Sequence, residues 1–321
     1  MSLRLPRFPT PGVDGLKRSL LRYQTDDGVC VCLGDGSEPA MFPFVQFEVS
    51  RDGSVVAALE WLVPHVEAAE EECGKGITLL QVQKTTTGHV ARLKTPDAEV
   101  IDLAWSPSME SIWFATGGSS PRFTYNIDIL TERITPVAPG VSPKPSPDGQ
   151  YLAFYGIEPH GTHILSIDTN RESFVTSGHP HSWSPDSRYL ACLDVVGTAW
   201  QLYVYDLHLK KRIHTATTAP FAYWPTWFPD GNTLAFEVCA KGRAGSPSLI
   251  CRAPIGGERY EQLTSGPRDQ QPNVHPRFGY IAYCSRDSVT HSECNVWVMD
   301  PSTGERRRIG RGREASWLLV P

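Results

Sequence analysis

The chain has 321 residues, 40% of them hydrophobic, with 27 glycines and 27 prolines. That length can bury a large core, and the density of turn formers points to strands and turns rather than helices. A net charge of −5 argues against nucleic acid or an anionic membrane surface as the partner, since both are held by positive fields.

In chain order, the first segments are short alternating runs: Ser19 to Tyr23, Val29 to Leu33 and Pro39 to Phe42, with Asp27-Gly28 as a hairpin turn between the first two. A phrase then begins to recur: an apolar strand ending in an aromatic, a Ser-Pro-Asp-Gly type turn, and a second apolar strand. Its copies include Trp105-Ser106-Pro107 before Ile112 to Ala115, and Pro147-Asp148-Gly149 before Tyr151 to Phe154. Others are Trp183-Ser184-Pro185-Asp186 before Tyr189 to Ala191, and Trp227-Phe228-Pro229-Asp230-Gly231 before Leu234 to Phe236. Weaker copies stand at Ser50 to Gly53 and at Val274-His275-Pro276, and Trp317 opens a seventh. The anchors Val49, Trp105, Pro145, Trp183, Trp227, Val274 and Trp317 follow one another at about 40 to 45 residues after a longer first interval, the period of a four-stranded propeller blade. A third strand in most repeats ends in Asp, as at Asp128, Asp168, Asp206 and Asp300. These carboxylates and those of the Pro-Asp turns are expected to brace turns rather than to do chemistry.

The expected fold is therefore all-β: a propeller of seven four-stranded blades, with six blades plus extensions as the alternative. The whole chain, 1–321, reads as one domain. Residues 1–43 supply three strands of the closing blade, 44–312 six complete blades, and 313–321 the closing inner strand. Pairing of the ends removes two open sheet edges, which are otherwise sites of unwanted association.

The Trp-Ser-Pro-Asp phrase followed by Tyr/Leu-Ala-Phe and an Ile/Val-Tyr-Val-x-Asp strand resembles the TolB-type PD-repeat propellers, relatives of the WD40 class, over residues 44 to 321. The resemblance implies a fold more than a function. Similar proteins include periplasmic TolB, the non-catalytic propellers of prolyl oligopeptidase-like enzymes, and oligogalacturonate lyases with a metal site. This sequence reads as departing from them: no export signal is expected, and it carries no Gly-x-Ser-x-Gly elbow and no ligand set that can be matched residue by residue. With no long apolar run, a cytoplasmic location is expected.

Strand order collects the longer loops on one face, called upper here: His65 and the insertion at 66–76, then 117–122, 158–162, 177–181, 221–224, 266–271, 287–293 and 311–314. The insertion, rich in Ala and Glu, reads as a solvated loop or a short acidic helix. Tyr223, Trp224, Arg268, Asp269, Gln271 and His160 are the candidate contacts for a protein or peptide partner, because aromatic and polar groups converge there. No cofactor is needed for that reading, and a small-molecule substrate is compatible with it.

The alternative is a lyase or hydrolase at the channel mouth. Strand alternation aims His179 and His181 the same way, as a base or as ligands to a divalent metal, with His163, His291 or Glu158 in reach and Arg122 or Arg268 holding a substrate anion. The eight cysteines do not form a disulfide framework. Most pack between sheets as small apolar groups, Cys30 and Cys32 share a strand face, and Cys284 and Cys294 flank one loop closely enough to meet. Arg306-Arg307-Arg308 and Lys210-Lys211-Arg212 read as solvated outer edges.

Overall fold

The computed structural model describes residues 19–42, 46–49, 55–62, 77–84, 90–93, 95, 100–117, 122–197, 199–219, 221–241, 246–287 and 293–318. The insertion at 66–76, His65, His291 and the Ser50 to Gly53 turn lie outside them.

Among the described residues there is no helix, and 27 strands form antiparallel ladders. They group into seven sets of four. The first combines Leu20–Thr25, Gly28–Leu33 and Ala40–Phe42 with Arg313–Leu318, and the second is Gln46–Val49, Val55–Leu62, Ile77–Lys84 and Val90–Leu93. The third and fourth share one long strand, Ile134–Pro145. Its first half is outermost beside Val100–Trp105, Ser111–Thr116 and Phe123–Asp128; its second half is innermost beside Tyr151–Ile157, His160–Ser166 and Arg171–Thr176. The fifth is His179–Trp183, Tyr189–Val196, Ala199–Asp206 and Lys211–His214. The sixth is Ala222–Trp227, Thr233–Cys239, Ser248–Pro254 and the two-residue Glu261–Gln262, and the seventh is Arg268–Val274, Ile281–Arg286, Asn295–Met299 and Arg306–Arg311. A single parallel bridge, Ser248 to Arg268, joins the last two. The chain's two described ends meet as well: Leu20 pairs with Leu318 and Arg22 with Ser316.

The recurrent phrase builds the turns by hydrogen bonding. Ser146 Oγ donates to Asp148 Oδ1 at 2.6 Å and accepts the Tyr151 N–H at 2.9 Å; Ser184, Asp186 and Tyr189 repeat the arrangement at 2.5 and 2.9 Å. The turn then needs a left-handed residue, supplied by Gly149 at φ 74 and Gly231 at φ 66, with Ser187 accepting the same conformation. Asp128, Asp206 and Asp300 at the ends of third strands each accept backbone N–H groups of the turn that follows.

The aromatic anchors tie one set to the next. Trp183 Nε1 donates to the Lys144 carbonyl at 2.8 Å, Trp227 to Ser182 at 3.0 Å, and Trp317 to Asn273 at 3.1 Å, in each case on the innermost strand of the preceding set. Apolar residues fill the space between neighbours. Leu193, Leu202 and Val204 of the fifth set pack on Leu234, Phe236 and Val238 of the sixth. Similar layers join the second set to the third and the sixth to the seventh, while Leu21, Tyr23, Cys30 and Cys32 of the first pack on Ala282, Val296 and Val298 of the seventh.

Candidate functional site

Each innermost strand has one edge paired and the other turned to the middle of the molecule, so a proline there breaks no ladder. Pro143, Pro180, Pro225 and Pro272 occupy such strands, and at each the register slips by a β-bulge. The residue three before the anchor adopts a left-handed backbone in three of them, Ser142 at φ 57, Trp224 at φ 53 and Gln271 at φ 53, and so does Glu314 at φ 54 in the proline-free strand Arg313–Leu318. All four side chains, with Asp102 at the corresponding place before Trp105, line one central cavity of about 910 Å³. His179, His181, Lys144, Trp200, Tyr223 and Arg22 complete its chemically active wall.

The strict alternation expected at His179 and His181 is interrupted, because the register slips between Pro180 and Ser182. Both imidazoles nevertheless face the cavity, in different settings. His179 lies flat on Tyr155, with ring centroids 4.0 Å apart and planes 6° apart, and Trp200 stands 5.8 Å away. His181 meets Trp224 edge-on at 5.8 Å and 86°. Tyr223 continues the aromatic wall from Trp200 at 6.5 Å. Burial pushes the pKa of His179 down, and that of His181 down to about 3, where Lys144 and His179 add to the effect. Both are neutral at physiological pH, so they present an aromatic face, one N–H donor and one acceptor nitrogen each.

Behind the wall, Glu237 is 3% exposed and accepts the Gln271 N–H at 3.2 Å and a Gln270 Nε2–H at 3.3 Å, which pins the left-handed bend. Burial raises the Glu237 pKa, and these hydrogen bonds oppose the rise. Across the cavity rim Ser182 Oγ donates to the Pro225 carbonyl at 2.9 Å, fixing neighbouring inner strands together. Trp224 itself is 48% exposed.

Of the residues expected to contact a partner, Tyr223, Trp224 and Gln271 come together in the cavity. Arg268 and Asp269 stand outside its lining: Asp269 is fully buried and its Oδ2 accepts the Gly266 N–H at 3.0 Å, a framework role. His160 is exposed, 6.4 Å from Tyr155, and Arg122 is exposed at the start of an outer strand. His163 is buried against Phe154, with Nδ1 2.6 Å from Glu172 and Nε2 donating to the Pro159 carbonyl at 2.7 Å, so neither nitrogen is open to a metal. Among the described residues no three His, Cys, Asp or Glu side chains stand together as a metal-holding group. Asp102, Ser142, Lys144, Glu314, Arg22 and Trp200 are among the cavity residues the sequence reading missed. Counting back three from each anchor finds Asp102, Ser142 and Glu314.

No protein-family model matches the chain, and no curated protein sequence matches it. Solved structures do. TolB from Acinetobacter baumannii is 16% identical with a TM-score of 0.56, over 92% of this chain and 81% of that one. An oligogalacturonate lyase in complex with manganese is 16% identical with a TM-score of 0.63, over 91% and 84%. A prolyl endopeptidase is 13% identical with a TM-score of 0.64, over 94% of this chain and 50% of the longer enzyme. The chain thus has the TolB-like propeller fold. Among the described residues no helix is long and apolar enough to cross a membrane.

Proposed function

We propose that the chain is a binding module whose central cavity receives a protein or peptide segment, with Trp224, Tyr223 and Gln271 as its main contacts and His181 and Glu314 beside them. One observation carries this reading: a tryptophan held at φ 53 with 48% of its surface exposed, on the rim of a cavity of about 910 Å³. A bulky side chain in the left-handed region costs about 1–3 kcal/mol and persists where the surroundings force it. An exposed tryptophan beside a pocket of mixed charge is the composition of a recognition hot spot. The lining charges, Asp102 and Glu314 against Lys144 and Arg22, suit a zwitterionic peptide better than a polyanion.

The reading includes a closed ring of seven blades, within one domain from 1 to 321. Its support is the pairing of Leu20–Thr25 with Arg313–Leu318 and the packing of the first set on the seventh. Seven unbridged cysteines among the described residues support a reducing, cytoplasmic setting. The test is a peptide-array screen with the wild type, followed by titration of the hits against Trp224→Ala. Tenfold or greater loss of affinity without a change in melting temperature is expected; hits that bind the variant equally well refute the site.

A second reading rests on His179 and His181 in the same cavity as Lys144 and Asp102: an acid–base enzyme, a lyase or hydrolase, with or without a divalent metal. Elemental analysis of the untagged protein separates the versions. About one equivalent of metal that disappears in a His179→Ala, His181→Ala double variant favours the metal-dependent enzyme over the binding module.

A further inference from the structure

Away from the cavity lining, the seventh set carries a cluster of reactive groups that the proposed binding role does not use. Arg268 pairs with Arg286 across two strands, while Cys284 pairs with Val296 and Ser285 with Asn295 on the other side. One step further in that register brings Cys294 opposite Arg286. Cross-strand partners share a face, as do residues two apart on a strand, so Arg268, Arg286, Cys284 and Cys294 all project from one side at one end of the set.

Burial divides the labour. Cys284 is 1% exposed, whereas Cys294 is half-buried. The two thiols are close enough for each to shift the other's pKa. The backbone of Glu314 and Ala315, at the bulge of the strand that pairs the chain's ends, lies beside Cys284, and Arg286 lies beside Cys294, and both neighbours favour the thiolate. The Nε atoms of both Arg268 and Arg286 are buried without a hydrogen-bond partner. Two guanidinium groups and two backbone amides around a pair of thiols form a setting that stabilises sulfur as an anion.

We propose that Cys284 and Cys294 form a dithiol site that undergoes exchange with low-molecular-weight disulfides and closes to an intramolecular bridge. The Cys294 thiolate attacks one sulfur of R–S–S–R; that S–S bond breaks, RS⁻ departs, and it takes the proton of the Cys284 thiol. Cys284, now a thiolate, attacks the Cys294 sulfur of the mixed disulfide and releases the second RS⁻. Two protein sulfurs lose two electrons in total, and one small disulfide is reduced to two thiol species. Cys294 is the attacking group because it is the accessible member and the one beside Arg286. The neighbouring Cys284 thiol and, against the effect of burial, the two arginines lower its pKa to about 7, while the Cys294 thiol and burial push Cys284 well above the ordinary thiol value.

The test uses the whole chain with oxidised glutathione across a pH series, read by peptide mass spectrometry. A single Cys284–Cys294 bridge is expected in the wild type, with the initial rate of Cys294 reaction half-maximal near pH 7. At pH 7 the thiolate fraction is about 15-fold that of an ordinary cysteine, offset about fivefold by lower nucleophilicity, so Cys294 should react roughly threefold faster than a free thiol. Cys284→Ser should accumulate the mixed disulfide at Cys294, and Arg286→Gln should move the half-maximal pH upward. A wild type whose Cys294 stays unmodified, or reacts with a midpoint near the ordinary thiol value of about 8.5, overturns the proposal without reference to any variant. So does an adduct at Cys294 that never resolves to the bridge.

Discussion

Trp317→Ala tests the idea that the aromatic anchors hold neighbouring sets together. The indole is 7% exposed and packs among Leu21, Cys30, Cys32, Val296 and Val298, with the ring of His275 at 4.9 Å. Its Nε1–H reaches the Asn273 carbonyl at 3.1 Å, and its backbone N–H reaches Asn273 Oδ1 at 3.0 Å. Truncation removes the buried ring and leaves a cavity, about 3–5 kcal/mol for a buried aromatic. It also strands the Asn273 carbonyl, a loss already contained in that figure. Trp317→Phe keeps most of the apolar contact and forfeits the hydrogen bond, about 1–2 kcal/mol. For a chain of this size each kcal/mol moves the melting temperature by roughly 1.5 °C, so alanine should lower it by about 6 °C and phenylalanine by about a third of that. Trp224→Ala, the same truncation at a half-exposed site, is the control and should stay within about 2 °C. Calorimetry on the three variants decides. If Trp317→Ala melts as Trp224→Ala does, the anchors do not carry the contact between sets and the reasoning fails.

Three further outcomes follow from the geometry. His275 Nδ1 accepts the N–H groups of Arg277 and Phe278 at 3.1 and 3.2 Å, so Nε2 holds the proton and donates to Ser19 Oγ at 2.8 Å, and burial lowers its pKa to about 4. A base whose folded pKa lies below its unfolded value of about 6.5 loses its stabilising contribution as pH falls from 6.5 toward 4. The loss is about 2 kcal/mol by pH 5, and the melting temperature of His275→Gln should fall less steeply over that range. Gly178→Ala would bring its Cβ against the Leu193 carbonyl oxygen beside His179; a stability loss of about 1–3 kcal/mol in urea unfolding, and a changed environment for the His179 ring by NMR, are expected. Asp206→Ala removes the acceptor for the His208 and Leu209 N–H groups and the partner of Arg188, all at 3.0 Å, at a site 1% exposed. A cost of about 1–3 kcal/mol is expected, against a near-neutral result for Glu261→Ala on an exposed ion pair.

The repeat was legible because its information is local. A Ser-Pro-Asp-Gly turn and the aromatic before it interact within a few residues, so their spacing survives as text, and the same holds for Asp206 and Asp300 bracing the turns that follow them. The cavity was only half legible. Trp224 and Gln271 stood out as chemically distinctive, whereas Asp102, Lys144 and Glu314 are ordinary charged residues whose meaning comes from strands distant in sequence meeting around one space. Arg268 and Asp269 drew attention for their chemistry, yet they fall before the bulge and outside the stretch of that strand that lines the cavity. The prolines of the inner strands were the available signal: a proline in a strand marks an edge or a bulge, and Ser142-Pro143, Trp224-Pro225 and Gln271-Pro272 each set a left-handed residue before it. Strict alternation across such a position, as assumed for His179 and His181, does not hold.

The pairing of Leu20 with Leu318 also has a consequence in time. The two strands are separated by about 300 residues of chain, which a ribosome extends at about 5–20 residues per second, so the first strand waits some 15–60 seconds for its neighbour. Throughout that interval Leu20–Thr25 offers a bare row of N–H and C=O groups to any extended chain nearby. During synthesis the protein therefore depends on being shielded, and nascent-chain crowding should depress its yield more than its equilibrium stability suggests.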